Sequence, residues 1–344
     1  MKVVLLGPQR RPTVESVVRS LGLEDAVAPG SLAPVGSLAA SGPFATVTAG
    51  WQEREPDDGE LRRVLGGRDV NLALYRRWLD VQERDPEYFA AERALGETLA
   101  EMTELYLVRL DYALRAVYAL QRHSDLGGDA LRSGAVEEAI AAVRELDAAH
   151  LRQVNEARLE FYGRFPPHDR PVIAGHRAEV AAVLRDAPAL VLAGGHVGVL
   201  ADVLHLFNVA AALPSGAAGA PDGSPADSTG GFAVIAWSAG AMALTDRIVL
   251  FGDRSPQGPG HPEVYGSGLS LVRDVVLLPH ARARLLLDDA ARMAVLARRF
   301  GPARCVPLET GTRIDLDTGD GAAAWPAGTR VLGPDGHVAA TEAA

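Results

Sequence analysis

Residues 230–244 read GGFAVIAWSAGAMAL, and this stretch decides how the rest of the chain is read. Phe232 to Ala236 is a short apolar run, Trp237-Ser238-Ala239-Gly240-Ala241 is a turn of mostly small residues, and Met242 and Leu244 fall in a helix-forming segment. A serine among small residues between a buried strand and a helix is the pattern of a nucleophile elbow. Strand and helix approach closely there, so bulk beside Ser238 would clash. The turn also presents the hydroxyl where free backbone N–H groups can stabilise an oxyanion. Gly240 stands at the second glycine of G-x-S-x-G, and Ala236 at the first. A buried strand–turn–helix whose serine only caps the helix fits the same letters.

Working outward, the surrounding chain reads as α/β. Lys2 to Leu6 is a buried first strand left through Gly7-Pro8-Gln9, and Thr13 to Leu21 carries Val14, Val17, Val18 and Leu21 on one helical face. Ala45 to Ala49 is a second strand, entering Gly50-Trp51-Gln52. Strand, helix, loop, strand opens a parallel sheet. From residue 71 to about 165 the chain changes character. Apolar residues recur at helical intervals, with a break near Asp85-Pro86 and a turn at Gly127-Gly128. This predicts an inserted helical hairpin or lobe (71–165) between the two parts of an α/β domain, 1–70 and 166–344.

The sheet resumes at Ala189 to Leu192, which runs into Ala193-Gly194-Gly195-His196 and a helix over 199–212. After the elbow come a strand from Leu271 to Leu278 ending at Pro279-His280, a helix over 281–300, and a strand from Arg304 to Leu308 delivering Glu309 into Thr310-Gly311-Thr312. Loops rich in Gly, Pro and Ser are expected at 28–43, 214–230 and 253–261.

The 344 residues suffice for one large domain or two modest ones, and 48% apolar with 23% charged residues marks a globular chain. The net charge of −10 argues against nucleic acid or an anionic membrane as main partner. Cys305 is the only cysteine, which excludes an intrachain disulfide and zinc sites built on two or four cysteines. H-E-x-x-H, the P-loop signature and the dinucleotide fingerprint are all lacking. The apolar start ends at Gly7-Pro8, short of a signal-peptide core, and no apolar run approaches the ~18 residues of a membrane span. A cytoplasmic protein is expected.

Ser238, His280 and Glu309 each follow an apolar strand, and residues at the carboxyl ends of parallel strands converge on one edge of a sheet. A serine, a histidine and an acid meeting there can perform acyl transfer, with oxyanion donors from Gly194, Gly195 and the backbone of Ala239. Taken singly, His280 also suits a strand end and Glu309 a turn cap.

WSAGAMAL around Ser238, LAGGH before it, LPHARARLLLDDAARM after it and LETGTRI around Glu309 resemble the peptidase E and cyanophycinase group of serine peptidases. The resemblance covers roughly 188–336, with weaker support at 1–50, and leaves out 71–161. It implies an open, mostly parallel sheet flanked by helices, flavodoxin-like and of the class I glutamine amidotransferase-like type. It also implies Ser238 as nucleophile, His280 as base, Glu309 as its orienter, and Gly195 in the oxyanion loop. The substrate implied is a short peptide, isopeptide or amide, with no metal or organic cofactor. Aspartyl specificity would need a positive group, for which Arg254, Arg282 and Arg284 are candidates. The chain departs from the pattern at Ala236, at His196 in the oxyanion loop, and in the helical insertion. The alternative is an inactive relative whose insertion serves as a binding or homo-oligomeric surface. Glutamine amidotransfer fits poorly, because that chemistry places a cysteine at the elbow.

Overall fold

The computed structural model describes residues 1–10, 13–23, 42–123, 129–214, 232–254, 260–318 and 325–342. Gly230-Gly231, the Gly127-Gly128 turn and most of the three expected surface loops lie outside them. In chain order the first part holds β1 (Lys2–Leu6), α1 (Val14–Ser20), β2 (Phe44–Val47), α2 (Gly59–Val64) and β3 (Asp69–Asn71). The helices α3 (Leu74–Arg84), α4 (Pro86–Arg122), α5 (Asp129–Arg164) and α6 (Pro171–Asp186) follow. Then come β4 (Ala189–Leu192), α7 (Val197–Leu206), α8 (Val209–Ala212), β5 (Ala233–Trp237) and α9 (Ala239–Ala243). The last part comprises β6 (Ile248–Leu250), β7 (Glu263–Gly266), β8 (Val275–Pro279), α10 (Ala281–Arg284), α11 (Ala290–Phe300) and β9 (Arg304–Leu308). It ends in β10 (Arg313–Asp317), β11 (Arg330–Leu332) and β12 (Val338–Ala340).

The fold is α/β with a mostly parallel sheet. Six strands run in the order β10-β1-β5-β4-β2-β3, all parallel except β10. Side chains alternate between two cores, as strand pleating requires. Val4, Leu6, Ile235 and Trp237 pack with Val14, Val17 and Val18 of α1 and Leu61 of α2. Val3, Leu5, Val234 and Ala236 face the other way, into a core shared with α3 to α7 and α9. Both faces are thus covered, which is why β5 reads as an unbroken apolar run with every residue buried.

The register aligns the strand ends. Leu6 lies opposite Trp237, Ala236 opposite Leu192, and Leu192 opposite Val47. The loops after β1, β2, β4 and β5 therefore leave the sheet at one level. Gly240 allows α9 to start against β4, since a Cβ there would lie 2.6 Å from the carbonyl oxygens of both Leu192 and Ala193. Backbone cannot yield as a flexible side chain does. Gly240→Ala is expected to destabilise by about 1–3 kcal/mol. Gly96→Ala, in α4 with nothing within 4 Å of its Cβ, should instead stabilise by about 0.5–1 kcal/mol. Urea midpoints of the two variants, measured side by side, check the contrast.

Three expectations are corrected. The strands carrying His280 and Glu309 do not belong to the six-stranded sheet. β8 and β9 pair in parallel in a second sheet, ordered β12-β11-β9-β8. The chain then turns at 309–312 and re-enters the first sheet as β10, antiparallel to β1, so this turn bridges both sheets. The expected helix over 281–300 is two helices, because Leu285 is extended and the Leu286 N–H donates to the buried Asp253 carboxylate at 3.0 Å. The expected helix over 199–212 is likewise broken, at Asn208, which takes a left-handed conformation. β3, β6, β7, α2 and α6 do not follow from the sequence pattern.

Helices α4 and α5 form an antiparallel pair whose inner side chains, Tyr106, Leu110, Leu114, Ile140 and Val143, join the core that also contains Val234 and Leu192. A buried polar cluster fastens the pair to the rest. Arg299 of α11 donates to both carboxylate oxygens of Asp147 at 2.7 Å and to the Tyr106 hydroxyl at 3.0 Å. The Tyr106 hydroxyl donates to Asp147 at 2.8 Å and accepts from the Val264 N–H at 3.1 Å. His150 stacks on the Tyr106 ring, with centroids 4.0 Å apart. Cys305 is buried in β9, and burial pushes its thiol up to about 12.

Candidate active site

The carboxyl edge of the six-stranded sheet opens into a cavity of about 550 Å³. Ser238 and His280 line it together with Gly194, Gly195, Trp51, Trp237 and Thr310. Gln9, Arg10, Arg54, Asp57 and Glu60 supply its polar wall.

Ser238 sits in the one-residue turn between β5 and α9 at φ 52°, ψ −121°. A non-glycine residue there is strained, by roughly 1–3 kcal/mol for sparsely populated backbone geometries. Its N–H donates to the Leu6 carbonyl at 3.2 Å, which ties the turn to β1. The Ala239 and Gly195 N–H groups donate no hydrogen bond among the described residues. Gly195 has φ 129°, and a Cβ on it would overlap the Gly50 carbonyl. Gly194 brings its backbone against Ser238, where a Cβ would stand 3.1 Å from the Ser238 Cβ. The double glycine therefore lets the loop after β4 close on the serine.

His280 follows β8 in a left-handed conformation, φ 59°, with its N–H donating to the Leu308 carbonyl at 3.1 Å. Its imidazole makes no hydrogen bond among the described residues. Partial burial and then the Arg284 charge lower its pKa, while the Glu309 charge pulls the other way. At neutral pH the ring is held towards its neutral form, the form a general base needs. Glu309 lies on the turn that bridges the two sheets. The Thr312 N–H donates to its carbonyl at 2.9 Å, and the Gly7 N–H donates to the Thr312 carbonyl at 2.9 Å. A Cβ on Gly7 would overlap the Glu309 carbonyl. The Glu309 carboxylate accepts from the Arg282 N–H at 2.8 Å, and it acts on His280 through charge rather than through a hydrogen bond.

Other expected contacts fall elsewhere. His196 is exposed and does not line the cavity. Its Nδ1 accepts from the Val199 N–H at 3.2 Å and caps α7. Arg254, Arg282 and Arg284 do not line the cavity either. Arg254 donates to the Arg282 carbonyl at 3.0 Å, and Arg284 lies over the Phe251 ring. The arginines of the cavity are Arg10 and Arg54, the latter paired with Asp57 at 3.0 Å. They and Trp51 follow β1 and β2, so the strand-end rule that singled out Ser238 also reaches them. The loop bearing Trp51 and Arg54 is anchored by Glu55, whose buried carboxylate accepts the Tyr75 and Arg76 N–H groups at 3.0 and 2.9 Å.

Among the described residues no helix is long and apolar enough to cross a membrane. No protein-family model matches the chain, and no curated protein matches it. Among solved structures, the crystal structure of a peptidase from an acI-B1 actinobacterium aligns over 99% of this chain and 94% of its own, at 14% identity and a TM-score of 0.42. At that distance the likeness assigns neither family nor activity, and the chemistry rests on the side chains themselves.

Proposed function

We propose that the chain is a serine hydrolase of peptidase E and cyanophycinase type, acting on a short peptide, isopeptide or amide. Its core in this reading is flavodoxin-like and class I glutamine amidotransferase-like, with 71–165 as an insertion. One observation carries the proposal: Ser238, on a strained strand-to-helix turn, shares a cavity with His280 and the double glycine. Ser238 Oγ attacks the carbonyl carbon while His280 takes its proton. The oxyanion meets the Gly195 and Ala239 N–H groups. Collapse expels the amine, protonated by His280, and leaves an acyl-enzyme that water opens with the same histidine as base. Glu309 supports the imidazolium by charge while holding the start of α10.

Intact-mass labelling with a fluorophosphonate tests this. One adduct is expected on the wild type, none on Ser238→Ala, and slower labelling of His280→Ala. A folded wild type that stays unlabelled and cleaves no dipeptide or isopeptide overturns the reading. It would favour the alternative, an inactive relative, for which the Glu309 carboxylate bonded to the Arg282 N–H speaks.

The pH profile carries a signed expectation. His280 must be neutral to accept the serine proton, so kcat/KM rises with pH through the His280 pKa, which lies below the ordinary histidine value. Arg284→Ala removes a charge that lowers this pKa and should move the acid limb to higher pH. Glu309→Gln removes one that raises it and should move the limb to lower pH. Profiles of kcat/KM for the three proteins check both directions.

A further inference from the structure

We propose that the outer face of α4 is a docking surface for a second copy of this chain, laid antiparallel across a two-fold axis at Val108. The inner face of α4 is accounted for, since Tyr88, Tyr106, Leu110, Leu114 and Val117 are buried. The outer face is not. Ala94, Thr98, Glu101, Leu105, Val108, Tyr112, Arg115 and Ala119 follow each other at steps of four and three residues, and all eight are exposed. Leu105, Val108 and Tyr112 are 62%, 59% and 69% exposed. Single exposed apolar side chains are ordinary on any protein surface. Three at successive heptad positions at the middle of a helix form a seam, and the 4–3 spacing keeps such a seam facing another helix.

The charges along this face select the occupant. Towards the N-terminus lie Glu97, Glu101 and Glu104, with Arg93 as the single opposite charge over 93–104. Towards the C-terminus lie Arg109, Arg115 and Arg122, with Asp111 as the single opposite charge over 109–122. Arg93 reaches Glu97 at 3.8 Å and Asp111 reaches Arg115 at 2.9 Å, and with these pairs counted the two halves still carry opposite net charges, −2 over 93–104 and +2 over 109–122. Val108 stands midway between Ala94 and Arg122. A two-fold axis through it, perpendicular to the helix, brings the second copy's Arg115 level with Glu101. On the helical wheel Glu97, Glu104, Arg115 and Arg122 share one flank, so that guanidinium enters between Glu97 and Glu104. A parallel second helix in register would instead face acid with acid and base with base. Self-complementarity of this kind is what an isologous interface requires.

Sedimentation equilibrium on the full chain, from about 1 to about 100 μM, tests the proposal. A monomer–dimer equilibrium is expected for the wild type. Val108→Glu should weaken it by about 100-fold, with circular dichroism and melting unchanged because the side chain is exposed. Glu97→Arg/Glu104→Arg and Arg115→Glu should each weaken self-association by about tenfold or more, because like charges then face each other. An equimolar mixture of these two variants should recover the dimer, since each copy then carries the charges the other lacks. A wild type that stays monomeric throughout overturns the proposal, as does a dimer indifferent to Val108→Glu. A mixture that fails to associate overturns the antiparallel arrangement on which it rests.

Discussion

Ser238→Ala is expected to lower kcat/KM by about 10⁴-fold or more on any peptide or amide the protein cleaves, since removing a nucleophile leaves only binding and the oxyanion donors. The expected effect on folding is small, and it separates this loss from a stability defect. Ser238 holds φ 52°, and alanine occupies that conformation at much the same strain. Ser238→Gly should be equally inactive but about 1 kcal/mol more stable, because glycine adopts the turn without a Cβ penalty. Steady-state kinetics and urea midpoints of the two variants decide the matter. Equal activity loss with stability gained only in the glycine variant marks a residue kept strained for its chemistry. Activity that survives in either variant removes Ser238 from the mechanism.

The second large effect lies outside the lining of the cavity. Asp147→Ala removes the carboxylate facing Arg299, whose side chain is buried and whose other partners, the Tyr106 hydroxyl and the Pro262 carbonyl, carry no charge to neutralise it. Breaking a buried ion pair from one side costs about 3–5 kcal/mol, because the remaining charge is uncompensated. Urea unfolding should show a loss of that size. The paired replacement Asp147→Leu with Arg299→Met should recover most of it, since the desolvation of both charges is then avoided. A double variant as unstable as Asp147→Ala would mean that the cluster is needed for its shape, not its charge balance.

How much was legible follows from where each element draws its stability. β1, β4 and β9 stand where the apolar runs place them, and β5 is displaced by one residue, because strands buried on both faces announce themselves as continuous apolar sequence. β3 is three residues, Asp69-Val70-Asn71, held by pairing with β2 rather than by its own pattern. β6 and β7 exist through each other. α6 buries only Ile173, Val180 and Leu184, too sparse a stripe to stand out. Ser238, His280, Gly194 and Gly195 stand out in the sequence because turn chemistry is local, and they line one cavity. The division into two sheets is tertiary, and with it went the expected role of Arg254, Arg282 and Arg284. Arg10 and Trp51 lie some two hundred residues from the elbow, and only the register of β1 and β2 brings them to it.

The single cysteine has a use of its own. Cys305 pairs with Val276 on one side and with Leu332 on the other, and a thiol pushed to about 12 presents almost no thiolate at neutral pH. The thiolate must reach and attack such a reagent, and Cys305 is buried, so the folded chain reacts slowly with thiol reagents. Modification then requires that β9 part from its neighbours, and its rate under native conditions follows the free energy of that opening. The protein carries a built-in clock for the integrity of its second sheet, readable by mass at one position without any substitution.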